Sequence, residues 1–279
     1  MQKTKIRFCS KARPYPIAQE EYPELYNKYG PRLVSVTSIT GMLQKFALVQ
    51  WAANESVNWL KSNWPDTFEG WTQEQFEAYF NNARYAYKNI AEEAADTGTD
   101  FHSLAETYLR TVYETCDYDY VMPEGLDDST SQMLSNFIAW CEKNEIQPLM
   151  IEQKIIGDGY GGRCDLVCDC KRFWDKSDEI VRCVMDIKTS KAYYDEMGIQ
   201  LAAYQEASPI IELFDGKEMF SGIIRVNKTG TYSTNYKDYS KTHEQDYQSF
   251  LKLKDFFWLQ NPEWGRQDEG EMLSVRQVV

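Results

Sequence analysis

The segment Val184-Met185-Asp186-Ile187-Lys188-Thr189-Ser190 most constrains what this chain can fold into. It reads as a β-strand, on which Asp186 and Lys188, two residues apart, point to one face. Val184, Met185 and Ile187 around them place that face at the edge of something buried. Burying a carboxylate or an ammonium is costly, so the pair needs a partner or a task. Upstream, Gly161-Gly162-Arg163-Cys164-Asp165-Leu166-Val167 reads as a glycine turn into a second apolar strand that carries its own acid, Asp165. Two carboxylates and a lysine converging at the end of a small sheet can hold a divalent cation beside a phosphodiester, which is nuclease chemistry. Alone, an Asp-x-Lys pair is common, and on an exposed strand it is an ion pair worth about 0–1 kcal/mol. Order and company distinguish this one: His102, Glu152, Asp165, Asp186, Lys188, Gln200 and Tyr204 follow one another along the chain.

Periodicity supplies the frame. Residues 1–35 are rich in Pro, Tyr and charge and read as an irregular arm. Ser38 or Thr40 is expected to cap a helix running to about Leu60, with Leu43, Phe46, Val49, Ala53 and Val57 on one stripe. A second helix runs from about Gln73 to Ala95 and ends at Asp96-Thr97-Gly98. A third begins near Thr99 with Phe101, Ala105, Tyr108 and Val112 as its apolar stripe and His102 and Glu106 at its rim. Glu106, one turn from His102, reads either as an acid that orients the imidazole or as a solvated carboxylate. After a helix near 128–144 come strands at about 148–157, 162–171 and 180–188, a helix at about 194–207 and a strand at about 219–228. Thr229-Gly230 reads as a turn into a partner strand, and a helix at about 243–260 closes the chain. The expected fold is α/β with an αβββαβ core, divided into an arm and helical subdomain over 1–97 and a core over 98–279.

These residues carry a resemblance. Gly98-Thr99-Asp100-Phe101-His102, Gly162-Arg163-Cys164-Asp165-Leu166-Val167, Asp186-Ile187-Lys188-Thr189-Ser190 and Gln200-Leu201-Ala202-Ala203-Tyr204 resemble, in this order, the motifs of the RecB-like branch of the PD-(D/E)XK nucleases. That branch includes RecB and AddAB nuclease domains, CRISPR-associated adaptation nucleases, a mitochondrial genome-maintenance exonuclease and many phage exonucleases. Ser35-Val36-Thr37-Ser38-Ile39-Thr40 with Ala47-Leu48-Val49-Gln50-Trp51-Ala52 is similar to the N-terminal region of phage members. The resemblance implies a restriction-endonuclease-like core and a Mg²⁺- or Mn²⁺-dependent deoxyribonuclease, most simply an exonuclease acting on single-stranded or linear DNA ends. It implies Asp165, Asp186, the Ile187 carbonyl and His102 as metal ligands, with a single imidazole extending tolerance towards Mn²⁺. Lys188 would orient or activate water and stabilise developing charge. Glu152 would assist the metal site or else pair with Lys154 on an exposed strand. Gln200 and Tyr204, one helical turn apart, would position the lysine and the DNA. The alternatives are a structure-specific endonuclease, or a non-catalytic nucleic-acid-binding or anti-defence protein on the same fold. Replication or recombination proteins are the implied partners.

Charge and cysteines bound the setting. The formal net charge is −13, so nucleic-acid contact has to come from local patches. Residues 1–19 hold five basic residues and no acid. Over 221–243, Arg225, Lys228, Lys237 and Lys241 face one acid, Asp238, with Tyr232, Tyr236 and Tyr239 interleaved. Arg163, Lys191, Arg225 and Lys228 are the candidate nucleic-acid contacts. Trp51, Trp59, Trp64 and Trp71 suggest either an aromatic track for unpaired bases above the groove or rings that pack helices together. Seven cysteines, an odd number, point to a reducing compartment. Cys164, Cys168 and Cys170 read as small core residues. Some relatives carry an iron–sulfur cluster built from an early cysteine and several beyond the nuclease motifs; no cysteine follows Cys183, so none is expected here. With no apolar run long enough to span a bilayer and no secretory signal, the expected location is cytoplasmic, the host cytoplasm for a phage protein.

Overall fold

Strand β4 (Tyr160–Lys171) organises the fold, because neighbours line both of its edges. The computed structural model describes residues 12–43, 46–114, 120–172, 174, 179–214, 218–227 and 234–266. Along one edge β4 pairs antiparallel with β3 (Gln147–Gly157) over almost its whole length. On the other edge two strands share it. β2 (Arg32–Ser35) runs parallel to the start of β4 at Tyr160 and Gly161, and β5 (Ile180–Lys188) runs antiparallel from Leu166 onward. Among the described residues, 162–165 therefore have no strand partner on that edge. Beyond β2 lies β1 (Pro14–Pro16); beyond β5 lie β6 (Phe220–Arg225), parallel to it, and β7 (Asn235–Asp238). The result is one mixed seven-stranded sheet in an α/β unit.

The core fills the side of the sheet covered by α2 (Val36–Thr40), α6 (Asp195–Gln205) and α8 (His243–Gln260). Val34, Ile39, Val167, Val184, Leu201, Tyr204, Ile223, Phe250 and Phe257 belong to it. The Tyr160 hydroxyl donates to the Ala203 carbonyl at 3.0 Å, which fastens α6 across β4.

Met1–Leu43 and Leu104–Val279 make up this larger unit, and Gln44–Ser103 a smaller one. The boundaries between these units fall after residues 43 and 103, whereas the sequence suggested a single division at residue 97. Residues 12–43 join the sheet unit because α1 (Pro23–Tyr29) leads into β2, whose Leu33 and Val34 are fully buried. A helix from Ser38 to Leu60 is corrected. Ser35 caps α2, accepting from the Ser38 amide at 3.1 Å, and α3 (Phe46–Ser62) is separate. Nor does a helix stop at Asp96-Thr97-Gly98, since α4 (Gln73–Leu109) runs 37 residues straight through. These residues cost at most about 1 kcal/mol each relative to Ala, and the surrounding Ala, Glu and Leu residues carry the helix across. A π-helical turn, Arg110–Glu114, follows α4 directly. The remaining helices are α5 (Asp128–Lys143), N-capped by Asp127, and the short α7 (Ile210–Phe214).

In the smaller unit, Trp59, Phe68, Trp71, Phe76 and Tyr79 pack together, mostly edge-on or tilted, with centroids 5.1–6.0 Å apart. Trp51 packs edge-on against Tyr87. These rings hold helices together, so an aromatic track loses its support; Trp64, 65% exposed, still meets Phe68. Among the described residues, no helix is long and apolar enough to cross a membrane. Cys141, Cys164, Cys168, Cys170 and Cys183 are free, buried thiols packed as small apolar groups. Burial pushes the Cys141 and Cys164 thiols well above their ordinary range.

Candidate metal centre

The fork where β5 leaves β4 carries the candidate site. Their ladder ends at the pair Leu166 and Met185, so Asp165 and Asp186 are the next residues in register. There the Asp165 carboxylate replaces a backbone partner, accepting from the Ile187 amide at 2.7 Å. The expected role of Ile187 lay in its carbonyl; its N–H is the group that meets a site residue. β5 continues past the fork, held on its far side by β6 through the Lys188–Arg225 pairing. Asp186 and Lys188 thus sit on an overhang whose β4 side is open.

Glu152 marks the same place on β3. Its φ of +49° lies in the left-handed region, which costs a non-glycine residue of order 1–3 kcal/mol. The side chains explain where the distortion falls. Ile155 and Gly162, paired in register, meet the core under α6, and so do Met150 and Val167, five residues along on each strand. A regular strand would put residues five apart on opposite faces, so both strands change face in between, where Glu152 stands opposite Asp165. The two carboxylates come within 4.8 Å, oxygen to oxygen. Glu152 is not paired with Lys154, the alternative from sequence; its carboxylate meets Arg163 at 3.5 Å. A glycine turn before Asp165 is likewise corrected. The turn is at Gly159, φ +82°, while Gly161 and Gly162 lie within β4. A Cβ on Gly161 would strike the Tyr15 ring at 2.4 Å, and one on Gly162 would press Tyr204 at 3.3 Å.

Asp186 is 1% exposed, and its surroundings compensate the charge. One oxygen accepts from the Gln200 side-chain amide at 3.0 Å, and the other meets the Lys188 ammonium at 2.5 Å. The Gln200 amide also donates to the Tyr204 hydroxyl at 2.6 Å, so one turn of α6 supplies both groups. Burial lowers the pKa of Lys188, but Asp186 and Asp165 outweigh that, and the group ends above its ordinary value. Burial, reinforced by Asp186 and Asp165, pushes the Tyr204 hydroxyl well above its usual range. At neutral pH Lys188 is a cation and Tyr204 a neutral phenol. Replacing Gln200 by Leu should lower stability by about 1–3 kcal/mol, because Asp186 and Tyr204 lose their shared donor. An unchanged melting temperature in Gln200→Leu would mean that this link does not hold the site together.

The other sequence candidates are placed as follows. His102 is half-buried on α4, one residue from the end of the smaller unit. Glu106 binds Arg110 at 2.9 Å, which favours a structural carboxylate over an imidazole-orienting one. The Arg225 guanidinium lies 5.1 Å from the Tyr193 ring and donates to the Lys191 carbonyl at 2.6 Å. Lys228 and the Thr229-Gly230 turn are outside the described residues. Sequence reasoning gave Glu152 no special backbone and Lys154 no role beyond pairing with it. The β3–β4 register, which needs the bulge at Leu149, is the signal that would have revealed both.

Chemically, the fork brings the Glu152 and Asp165 carboxylates within 4.8 Å of each other and holds the Asp186 carboxylate, which lies outside that group, against the Lys188 ammonium. Oxygen donors of this kind suit a hard divalent cation such as Mg²⁺ or Mn²⁺. No family model matches the chain, and no curated protein matches it.

Proposed function

We propose that the chain is a metal-dependent deoxyribonuclease of the PD-(D/E)XK type, acting on single-stranded or linear DNA ends. The observation that carries the reading is the fork, where Asp165 and Asp186 fall in register just beyond the last β4–β5 pair and Lys188 meets Asp186 at 2.5 Å. Helix α5 followed by β3, β4, β5, α6 and, after the short α7, β6 is compatible with the αβββαβ order expected of that core. Asp165 and Asp186 are the proposed principal ligands, joined by Glu152, whose carboxylate comes within 4.8 Å of that of Asp165, by the Ile187 carbonyl and, from the resemblance, by His102. A bound Mg²⁺ or Mn²⁺ would neutralise the phosphate and lower the pKa of an attacking water. Lys188, a cation at neutral pH, stabilises negative charge on the phosphate as it develops. Gln200 holds Asp186 in place, and Tyr204, kept neutral, anchors Gln200. Arg163, Lys191, Arg225 and Lys228 are the proposed contacts to the strand.

The preference for ends rests on the resemblance, through His102 and the Gln200–Tyr204 turn, since Trp51, Trp59, Trp64 and Trp71 each pack against a neighbouring Phe or Tyr ring. End-labelled linear single-stranded, linear double-stranded and closed circular single-stranded DNA, each with Mg²⁺ or Mn²⁺, form the test. Degradation of the linear strands with the circle spared is expected. Rapid loss of the circle, with linear DNA no faster, would make the protein an endonuclease. DNA binding without turnover in either metal would point to the non-catalytic reading.

A further inference from the structure

We propose that Lys154 and Arg163 form a subsite for a phosphate of the nucleic-acid strand adjacent to the one cleaved. This rests on the nuclease reading and extends it to the path of the strand. In the β3–β4 register Lys154 stands directly opposite Arg163. Like charges facing each other across neighbouring strands repel and destabilise the sheet, so the pair costs the free protein something. Neither side chain relieves it fully. Lys154 is exposed and makes no ion pair among the described residues, while Arg163, 56% exposed, meets the Glu152 carboxylate at 3.5 Å. A bound anion between the two cations would turn the repulsion into attraction for both.

The surroundings fit a phosphodiester chain. Lys154 and Arg163 line a groove of about 400 Å³ whose wall is the π-helical turn, with Arg110, Tyr113 and Glu114. The one other cation in the wall is already committed. Arg110 donates to Glu106 at 2.9 Å, to Glu114 at 2.5 Å and to the Ile151 carbonyl at 3.0 Å. That use of Arg110 also offsets Glu114, whose charge would otherwise repel a phosphate. Among the described residues, Lys154 remains free to meet an incoming anion, and Arg163 is held only by the long 3.5 Å contact to Glu152. Glu152 joins the groove to the metal centre, for it touches Arg163 on one side and approaches Asp165 on the other. With Glu152 turned to the metal centre, Arg163 is released to the strand. Arg163 lies two residues from Asp165, about 6.6 Å along an extended strand. That step is comparable with the spacing of neighbouring phosphates in a nucleic-acid strand.

The test is binding of a fluorescein-labelled single-stranded oligonucleotide by the full chain, with Ca²⁺ replacing Mg²⁺, followed across a salt series. Lys154→Glu should weaken binding by about tenfold, and Lys154→Ala should reduce the slope of log K against log salt by about 0.7, the share of one phosphate on a single strand. Lys154→Ala should also melt no lower than the wild type, because removing one of two opposed like charges relieves the sheet. Wild-type affinity and salt slope in both variants, with melting curves that show them folded, would overturn the subsite. Weaker binding by the variants beside a wild type that never cuts would leave the subsite standing and remove the nuclease reading. Normal cutting by the wild type with unaltered binding by both variants would do the reverse.

Discussion

Asp186→Asn should abolish metal-dependent cleavage, lowering turnover by at least about a thousandfold, the upper scale for losing one group aimed at developing charge. Asparagine keeps the shape, and its carbonyl oxygen can still accept from the Gln200 amide that now bonds Asp186. What it removes is the charge that would hold a cation at the fork. The stability cost should be modest. Breaking a fully buried ion pair costs about 3–5 kcal/mol because it strands a charge, but the Lys188 side chain is 25% exposed and keeps Asp165 as an electrostatic neighbour. A loss of about 1–2 kcal/mol is expected, or a fall in melting temperature of roughly 2–8 °C for a chain of this size. Cleavage of an end-labelled single strand with Mn²⁺, measured beside the melting curve, decides the matter. Turnover at the wild-type rate would remove Asp186 from the chemistry. Loss of activity together with collapse of the melting transition would move it to a structural role.

The parts of the fold that could be read from sequence are those governed by short periods. Asp186 and Lys188 share a face because a strand repeats every two residues, and Gln200 and Tyr204 share one because a helix turn brings residues four apart together. The strands over 147–188 and helix α6 follow from the same periods. Contacts between distant segments were illegible. Nothing in Arg32-Leu33-Val34-Ser35 announces that it pairs with Tyr160 and Gly161, so the N-terminal residues read as an arm. Gly161 and Gly162 read as a turn because their requirement comes from the rings of Tyr15 and Tyr204, which approach from elsewhere in the chain. The left-handed Glu152 was hidden for a related reason. Its strain exists because two paired strands change face together, and one strand's sequence does not specify that. Asp96-Thr97-Gly98 misled in the opposite sense, as a weak local preference that the rest of α4 overrides.

Lys188→Ala should stop cleavage as completely as Asp186→Asn while leaving metal binding intact, and that contrast separates the roles of two side chains in direct contact. A protonated lysine has no lone pair to offer a cation, so it is no ligand. With the carboxylates of Asp186 and Asp165 outweighing burial, its pKa lies above the ordinary value, and it stays charged throughout the neutral range. A charged lysine in this position favours the stabilisation of negative charge as its contribution. The raised value also bears on stability: with Asp186 ionised, the Lys188–Asp186 attraction is fully present below about pH 10.4 and is lost as pH rises through the higher folded pKa. Between pH 6 and 9 this pair should therefore add no slope to the melting temperature. Without the ammonium, Asp186 keeps its full charge for a cation, so Mn²⁺ affinity should hold or tighten, by up to about tenfold, or 1.4 kcal/mol. Lys188→Arg is a weak rescue, because a planar guanidinium does not place its charge where a compact ammonium does. Calorimetric titration with Mn²⁺ beside the cleavage assay reads both quantities. Lost turnover with retained or tighter Mn²⁺ binding fits a lysine that acts on the phosphate, whereas loss of both would mean that it holds the fork together.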